Sequence, residues 1–181
     1  SSVDANLISE GREYLASMGI YIFNRNVLRD LLDKYPDALD FGKEILPSSL
    51  KTGLNVASYM YDGYWTDIGD IKSFFEANIA LADPIPKFNL FDNVNKIYTR
   101  ARQLPPSKLF GTSFQNSIIS EGCIIHAKSI VNSVIGIRAR VGDNTVLRSV
   151  YMMGSDFFES IEDLRKNEFN VGIGRNCWIE N

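Results

Sequence analysis

Three short segments of the chain place polar and small residues where the surrounding apolar pattern does not require them. The richest, residues 61–70, holds three acids, two tyrosines, a tryptophan and two glycines. Asp67 follows Trp65 and Thr66 directly before a predicted helix, a position that suits Mg²⁺, which takes oxygen ligands from one or two carboxylates and from phosphates. A solvated turn with Asp70 as helix cap would explain Asp70 but neither Trp65 nor Asp67.

The other two segments suggest contacts to a sugar or to its phosphate. Asp40 and Phe41 place a carboxylate and an aromatic ring at a helix start, where the carboxylate can accept hydrogen bonds from sugar hydroxyls while the ring covers an apolar sugar face. The alternative is a helix cap beside a core side chain. Around Ser17, small residues interrupt a bulky stretch, either to admit a ligand close to the backbone or to let two elements pack tightly.

The elements that carry these segments are predicted to be mixed α and β over residues 1–83. Strands are predicted over residues 14–23 and 56–61, because both stretches are rich in β-forming residues. Three helices are predicted, each between a capping side chain and a proline: Asn24 to Pro36, Asp40 to Pro47, and Asp70 to Pro84.

A different organisation begins after residues 84–110, which are rich in proline, hold few periodic apolar positions and read as a linker. In residues 111–181 aliphatic residues recur six apart among small and polar ones. The series are Ile118, Ile124 and Ile130; Ile119, Ile125, Val131 and Ile137; and Ile135, Val141 and Leu147. Neither a helix nor a hairpin has this period, which is typical of a parallel β-helix.

Two further features belong to the predicted β-helix. Gly122, Gly136 and Gly142 are expected at its corners with positive φ, which glycine tolerates. The polar stretch 151–170 is predicted to be an insertion, because Ile173 and Ile179 resume the six-residue spacing after it. A β-helix with an open end exposes an apolar stack, so we expect a continuation or a partner subunit.

Composition restricts the classes of function. The 181 residues are 45% hydrophobic and 23% charged, with a net charge of -3. No global positive field exists to hold nucleic acid or an anionic membrane, and no apolar run reaches the roughly 18 to 20 residues of a membrane span.

Cys123 and Cys177 lack zinc-site spacing, and a reducing cytoplasm is the simplest compartment. Because the chain has no initiator Met and stops in mid-pattern, it is expected to be a piece of a longer protein.

An ordered series of motifs resembles the glucose-1-phosphate adenylyltransferase (ADP-glucose pyrophosphorylase) family. Each motif is weak alone, and their order is specific. They are Ala16-Ser17-Met18-Gly19-Ile20-Tyr21, Asp40-Phe41-Gly42, Tyr64-Trp65-Thr66-Asp67-Ile68-Gly69, Glu76-Ala77-Asn78, Pro84-Ile85-Pro86 and Leu104-Pro105-Pro106-Ser107-Lys108.

The resemblance implies the C-terminal part of a Rossmann-like α/β nucleotidyltransferase domain, followed by a left-handed parallel β-helix that builds a homotetramer and shapes allosteric control. It implies transfer of AMP from ATP to α-D-glucose 1-phosphate, with Mg²⁺, toward glycogen or starch, in the cytoplasm or in the plastid of a plant or alga. By motif match, Ser17 lies near the sugar phosphate, Asp40 and Phe41 in the glucose pocket, Trp65 beside the sugar, and Asp67 is a catalytic magnesium ligand.

The family's glycine-rich nucleotide loop, its second metal-binding aspartate and its Glu-Lys-Pro segment have no match in residues 1–15. The 181 residues alone are therefore expected to be inactive, and to bind glucose 1-phosphate weakly if at all. Asp67 would supply only part of the metal site.

Two other classes of function compete with this one. Hexapeptide acyltransferases use a histidine as general base, but His126 follows the inward Ile125 and is expected to face solvent. A non-catalytic assembly and regulatory module is the other alternative. Arg100, Arg102 and Lys108 form a basic cluster in the linker that could take a small phosphorylated effector, or be simply a solvated connection.

Overall fold

A computed structural model describes residues 16–166 and 171–181, and divides the chain into two compact units. The first unit ends at Trp65 and the second runs from Thr66 to Asn181. None of the described helices is long and apolar enough to cross a membrane.

The first unit carries helix α1 (Arg25–Lys34), one π-helical turn (Phe41–Ile45) and helix α2 (Leu46–Lys51). Helix α1 begins as predicted, because the side chain of Asn24 accepts a hydrogen bond from the backbone N–H of Asn26 at 3.0 Å. Leu31 and Ile45 are the buried apolar side chains of this unit among the described residues.

Both strand predictions for the first unit were wrong for the described residues. Residues 16–23 and 56–61 form no strand, and Tyr14 and Leu15 lie outside the described residues. A strand is stabilised by ladder bonds to a neighbour, and neither segment pairs with another described segment, so Ile20 and Tyr59 remain mostly exposed.

Pro47 was predicted to end the second helix, and it lies instead in the first turn of α2. Proline has no N–H to donate within a helix and its ring crowds the carbonyl four residues earlier. The preceding turn is widened, since Ile45 N–H donates to Asp40 O and Leu46 N–H to Phe41 O, both five residues back.

The second unit begins with helix α3 (Ile71–Ile79) and a 3₁₀ turn (Ala80–Ala82). Its remaining described elements are short strands and helix α4 (Ile161–Lys166). The strands are β1 (Lys108–Leu109), β2 (Ser113–Gln115), β3 (Ile118–Ile119), β4 (Ile124–Ile125), β5 (Ser129–Val131), β6 (Val134–Ile135), β7 (Arg140–Val141), β8 (Val146–Arg148), β9 (Tyr151–Met152) and β10 (Trp178–Glu180).

The strands form three parallel sheets, which are the three sides of a β-helix. The first side holds β1, β4 and β7, the second β2, β5, β8 and β10, and the third β3, β6 and β9. Each strand from β1 to β6 thus pairs with the strand three places later, and β8 pairs with β10. This stacking confirms the predicted solenoid. Its core is a cluster of fully buried side chains that includes Ile125, Ile130, Ile135, Val141 and Leu147.

One coil of the β-helix contains fewer residues than three sides of six residues each would require. Cys123 N–H donates to Ser107 Oγ sixteen residues earlier, and Val150 N–H donates to Ser133 Oγ seventeen residues earlier. The buried Ile130 consequently follows the buried Ile125 by five positions.

The corners use asparagine more than glycine. Asn116, Asn132 and Asn144 have positive φ, as does Gly122 at +75°. Gly142 was expected to share this conformation and does not, and neither does Gly136. Its lack of a side chain serves close packing instead, because a Cβ there would overlap the backbone N of Gly154 in the next coil.

The chain leaves the solenoid after Met152, and Ile173 resumes the stacking through a bridge to Val141. The segment that leaves, here called the excursion, packs Phe158 and Glu159 back on the outside of the first side. The guanidinium of Arg138 lies 5.4 Å from the ring centroid of Phe158, and Arg140 Nη1 donates to Glu159 Oε2.

Candidate functional site

The first cluster of candidate residues forms around Ser17. Its Oγ lies 3.0 Å from the hydroxyl oxygen of Tyr21 and accepts a hydrogen bond from Gly19 N–H at 3.2 Å. Gly19 has a φ of +72°, so the turn that brings its N–H onto the serine favours glycine.

Tyr21 joins Ser17 to the π-helical turn. The ring of Tyr21 stacks on the ring of Phe41, with centroids 6.2 Å apart and planes at 23°. The ring centroid of Phe23 lies 5.7 Å from that of Phe41. The Tyr21 hydroxyl lies beside Gly42, where a Cβ would be 3.2 Å from the oxygen. Tyr21 thus brings Ser17 and Phe41, two predicted site residues, into one cluster, although its own type and spacing predicted only a strand position.

Asp40 is the N-cap of the same turn. Its Oδ1 accepts a hydrogen bond from Lys43 N–H at 2.8 Å, and Glu44 Oε2 reaches back to the N–H groups of Leu39 and Asp40 at 2.7 and 2.9 Å. Oδ1 would lie 3.4 Å from a Cβ on Gly42, so the carboxylate and the Tyr21 hydroxyl flank the same glycine. The alternative predicted from the sequence, that Asp40 caps a helix, accounts for Oδ1. The other carboxylate oxygen, Oδ2, makes no hydrogen bond to a described residue.

Trp65 and Asp67 follow a compact turn. The side chain of Tyr61 lies over Gly63, and its hydroxyl donates to Tyr64 O at 3.4 Å. Trp65, the last residue of the first unit, is 43% exposed. Asp67, exposed and in the second unit, lies over Gly69, where a Cβ would be 3.2 Å from Oδ1.

Among the described residues no group of three or more His, Cys, Asp or Glu side chains could hold a metal ion. Asp67 therefore offers a single carboxylate. That donor set fits Mg²⁺ held mainly by substrate phosphates and water, and does not fit a cage built by the protein.

His126 lies in the β-helix of the second unit. Its ring stacks on Phe110 with centroids 4.1 Å apart, and its Nδ1 lies 3.3 Å from Asp143 Oδ1. The side chain is one-third exposed on the outer face, as predicted from its place after Ile125. Arg100, Arg102 and Lys108 are all exposed.

Comparison with known proteins adds two family matches. Residues 5–83 match the family described as nucleotidyl transferase, and residues 102–181 match the GLGC left-handed parallel β-helix domain, which gives the solenoid its hand. A curated relative, "Glucose-1-phosphate adenylyltransferase large subunit 2" of Hordeum vulgare, is 43% identical over 173 residues, which cover 93% of this chain and 95% of the relative.

Proposed function

The chain belongs to the glucose-1-phosphate adenylyltransferase family, and we propose that it supplies the sugar-phosphate side of the site that transfers AMP from ATP to α-D-glucose 1-phosphate. The observation that carries the proposal is the 43% identity to the barley relative over nearly the whole chain. The products are ADP-glucose and pyrophosphate, and the reaction belongs to glycogen or starch synthesis.

The cluster around Tyr21 suits a sugar. Phe41, 39% exposed, offers a ring face, Asp40 Oδ2 can accept from sugar hydroxyls, and the Ser17 hydroxyl can donate to a phosphate oxygen. Such convergent polar groups beside aromatic rings are typical of carbohydrate and nucleotide sites. Trp65 is proposed to cover the sugar from a separate segment.

Asp67 is proposed to hold Mg²⁺ together with phosphate oxygens of the substrates. Nucleotidyltransferases generally use a divalent metal, and Mg²⁺ supplies positive charge that neutralises the phosphates. The role of Asp67 is to fix the position of that charge with its exposed carboxylate.

The chemical step needs no covalent protein intermediate. A phosphate oxygen of glucose 1-phosphate forms a bond to the α-phosphorus of ATP, the bond to the bridging oxygen of the β-phosphate breaks in line, and its electron pair leaves with pyrophosphate. The contributions of Ser17, Asp40 and Phe41 are orientation and exclusion of water, which are large terms in such reactions.

Assembly and control are further parts of the proposal. We propose a homotetramer built through the β-helix, where Phe110 and Trp178 are 51% and 68% exposed, and binding of small phosphorylated effectors at Arg100, Arg102 and Lys108. The cytoplasm is the proposed location, or the plastid in a plant or alga, in keeping with the plant origin of the relative.

Pyrophosphate release tests the proposal and is measured on the native protein as isolated from its source, because the 181 residues alone are expected to be inactive. Wild type, Asp67→Asn and the matched control Asp83→Asn are assayed with ATP, glucose 1-phosphate and Mg²⁺. Asp67→Asn should lower the rate at least about a hundredfold, since even groups that only support a metal ligand contribute 10- to 100-fold. Asp83, an exposed acid after the 3₁₀ turn, should be replaceable.

Three results would contradict parts of the proposal. No pyrophosphate from the wild type would favour the assembly module. Turnover of an acyl-CoA would favour the acyltransferase, with His126 as base. Equal rates for both asparagine variants would remove Asp67 from the metal site and leave the reaction standing.

A further inference from the structure

The carboxylate of Asp67 lies close to the backbone just before helix α3. It folds back over Gly69, where a Cβ would lie 3.2 Å from Oδ1 and 3.6 Å from Oδ2. The carboxylate and residue 69 are therefore neighbours, so a shift of this backbone would alter the space that the carboxylate occupies.

That backbone is tied to the first turn of α3 through Asp70. Its Oδ1 accepts from Ser73 N–H at 2.7 Å, its own N–H donates to Ser73 Oγ at 3.4 Å, and its carbonyl accepts from Phe74 N–H at 3.0 Å. This is a complete capping box. The segment that holds Asp67 consequently follows the position of the helix.

The helix, in turn, packs on the third side of the β-helix. The ring of Phe74 meets the ring of Tyr151 edge to face, with centroids 5.0 Å apart and planes at 89°. Tyr151 is fixed in β9, which pairs with β6 at Val134, and its neighbour Met152 packs against the solenoid core. Asp67, helix α3 and the β-helix all lie in the same compact unit.

From this chain of contacts we infer that Phe74 and Tyr151 are positioning residues for Asp67: the β-helix sets the direction of the carboxylate through helix α3. The inference rests on the proposed function for what Asp67 binds. It assigns to the solenoid a part in catalysis in addition to assembly, because a change in the third side would reach Asp67 through the contact of Phe74 with Tyr151 and through the capping box of Asp70.

The test uses the native protein with four variants. Tyr151→Ala and Phe74→Leu remove the edge-to-face contact, Tyr151→Phe keeps the ring, and Phe158→Ala removes an aromatic contact on the first side. The first readout is the Mg²⁺ concentration that gives half the maximal rate. It should rise about tenfold in the first two variants, the low end of the effect of losing a group that orients a metal ligand, and stay unchanged in the other two.

A second readout does not depend on turnover. Binding of Mn²⁺ in the presence of ATP, followed by electron paramagnetic resonance, should weaken in Tyr151→Ala and not in Phe158→Ala. In an Asp67→Asn background the further change Tyr151→Ala should have no effect on either readout, because the carboxylate it positions is gone. If Tyr151 had only a structural role, Tyr151→Ala would weaken Mn²⁺ binding and raise the required Mg²⁺ concentration both in the wild type and in Asp67→Asn.

The outcomes separate this inference from the proposed function. If the wild type releases pyrophosphate and Tyr151→Ala leaves both the Mg²⁺ dependence and Mn²⁺ binding unchanged, the inference is wrong and the reaction stands. Equal weakening by Tyr151→Ala and Phe158→Ala would also overturn it. If the wild type is inactive, the proposed reaction fails, while loss of Mn²⁺ binding in Tyr151→Ala alone would still support the positioning role.

Discussion

The ion pair between Arg140 and Glu159 holds the excursion against the β-helix, and breaking it should be costly. The two side chains are only 14% and 5% exposed, and Arg140 Nη1 donates directly to Glu159 Oε2. Glu159→Leu leaves a buried guanidinium without this carboxylate. Loss of one partner of a buried pair costs about 3–5 kcal/mol, and we expect about 3 kcal/mol here, because the excursion can lift and admit water.

Replacing both partners should be far less harmful. Arg140→Met combined with Glu159→Leu exchanges the pair for apolar side chains of similar length, a change that is often neutral for buried pairs. The double variant should unfold within about 1 kcal/mol of the wild type, so the two single changes should be strongly non-additive.

Urea unfolding measures these differences directly. The chain has two tryptophans, so Trp65→Phe leaves Trp178 in β10 as a fluorescence probe inside the β-helix. Circular dichroism is recorded beside the fluorescence, because β10 lies in an outer coil. The free energy of unfolding follows from the midpoint and slope where the two curves coincide. A cost below about 1 kcal/mol for Glu159→Leu, or a double variant as unstable as the sum of the singles, would refute the reasoning.

Three further predictions concern the core, a cap and a thiol. Leu147→Ala, at a fully buried position, should lower the free energy of unfolding by about 3–5 kcal/mol in the same urea assay. The N–H of Ser73 lowers the pKa of Asp70. The stability that this cap contributes is therefore fully present above the ordinary carboxylate pKa and is lost as pH falls through the lowered pKa of the folded state. Asp70→Asn should abolish this part of the acid-induced loss of helical circular dichroism. Burial raises the pKa of the Cys123 thiol, so iodoacetamide at pH 8 should modify Cys177 first, as mapped by mass spectrometry, with both modified at similar rates in urea.

The β-helix was predictable from sequence because each of its sides must place an aliphatic residue inward. The exact number of residues between successive inward positions was not predictable, because it depends on how many residues each corner contains. Ile130 stands six residues after Ile124 and five after Ile125, and only the structure assigns it to the buried series that contains Ile125. The corner asparagines carried the missing information, since Asn116 and Asn132 stand one 16-residue coil apart.

The candidate site was predictable by residue type and not by contact. Ser17, Asp40 and Phe41 are chemically suggestive wherever they lie, so their segments could be singled out from the sequence. Tyr21 lies in one of these segments, but its contact with both Ser17 and Phe41 could not be predicted, because a tyrosine in an apolar stretch looks like an ordinary strand residue. Its role follows from the π-helical turn beside it, which depends on Pro47 beginning a helix that it was predicted to end.

The stability of the β-helix is distributed along its axis, because the coils are stacked one on another. Among the described strands, each pairs only with the strand directly above or below it, and no strand of the first coil pairs with one of the last. A substitution at Ile135, in a central strand, therefore weakens two interfaces between neighbouring coils, whereas one at Phe114 in β2 weakens a single interface. Partial unfolding should accordingly advance inward from the outer coils, and the coil that holds Ile125, Ile130 and Ile135 should be the last to lose its structure.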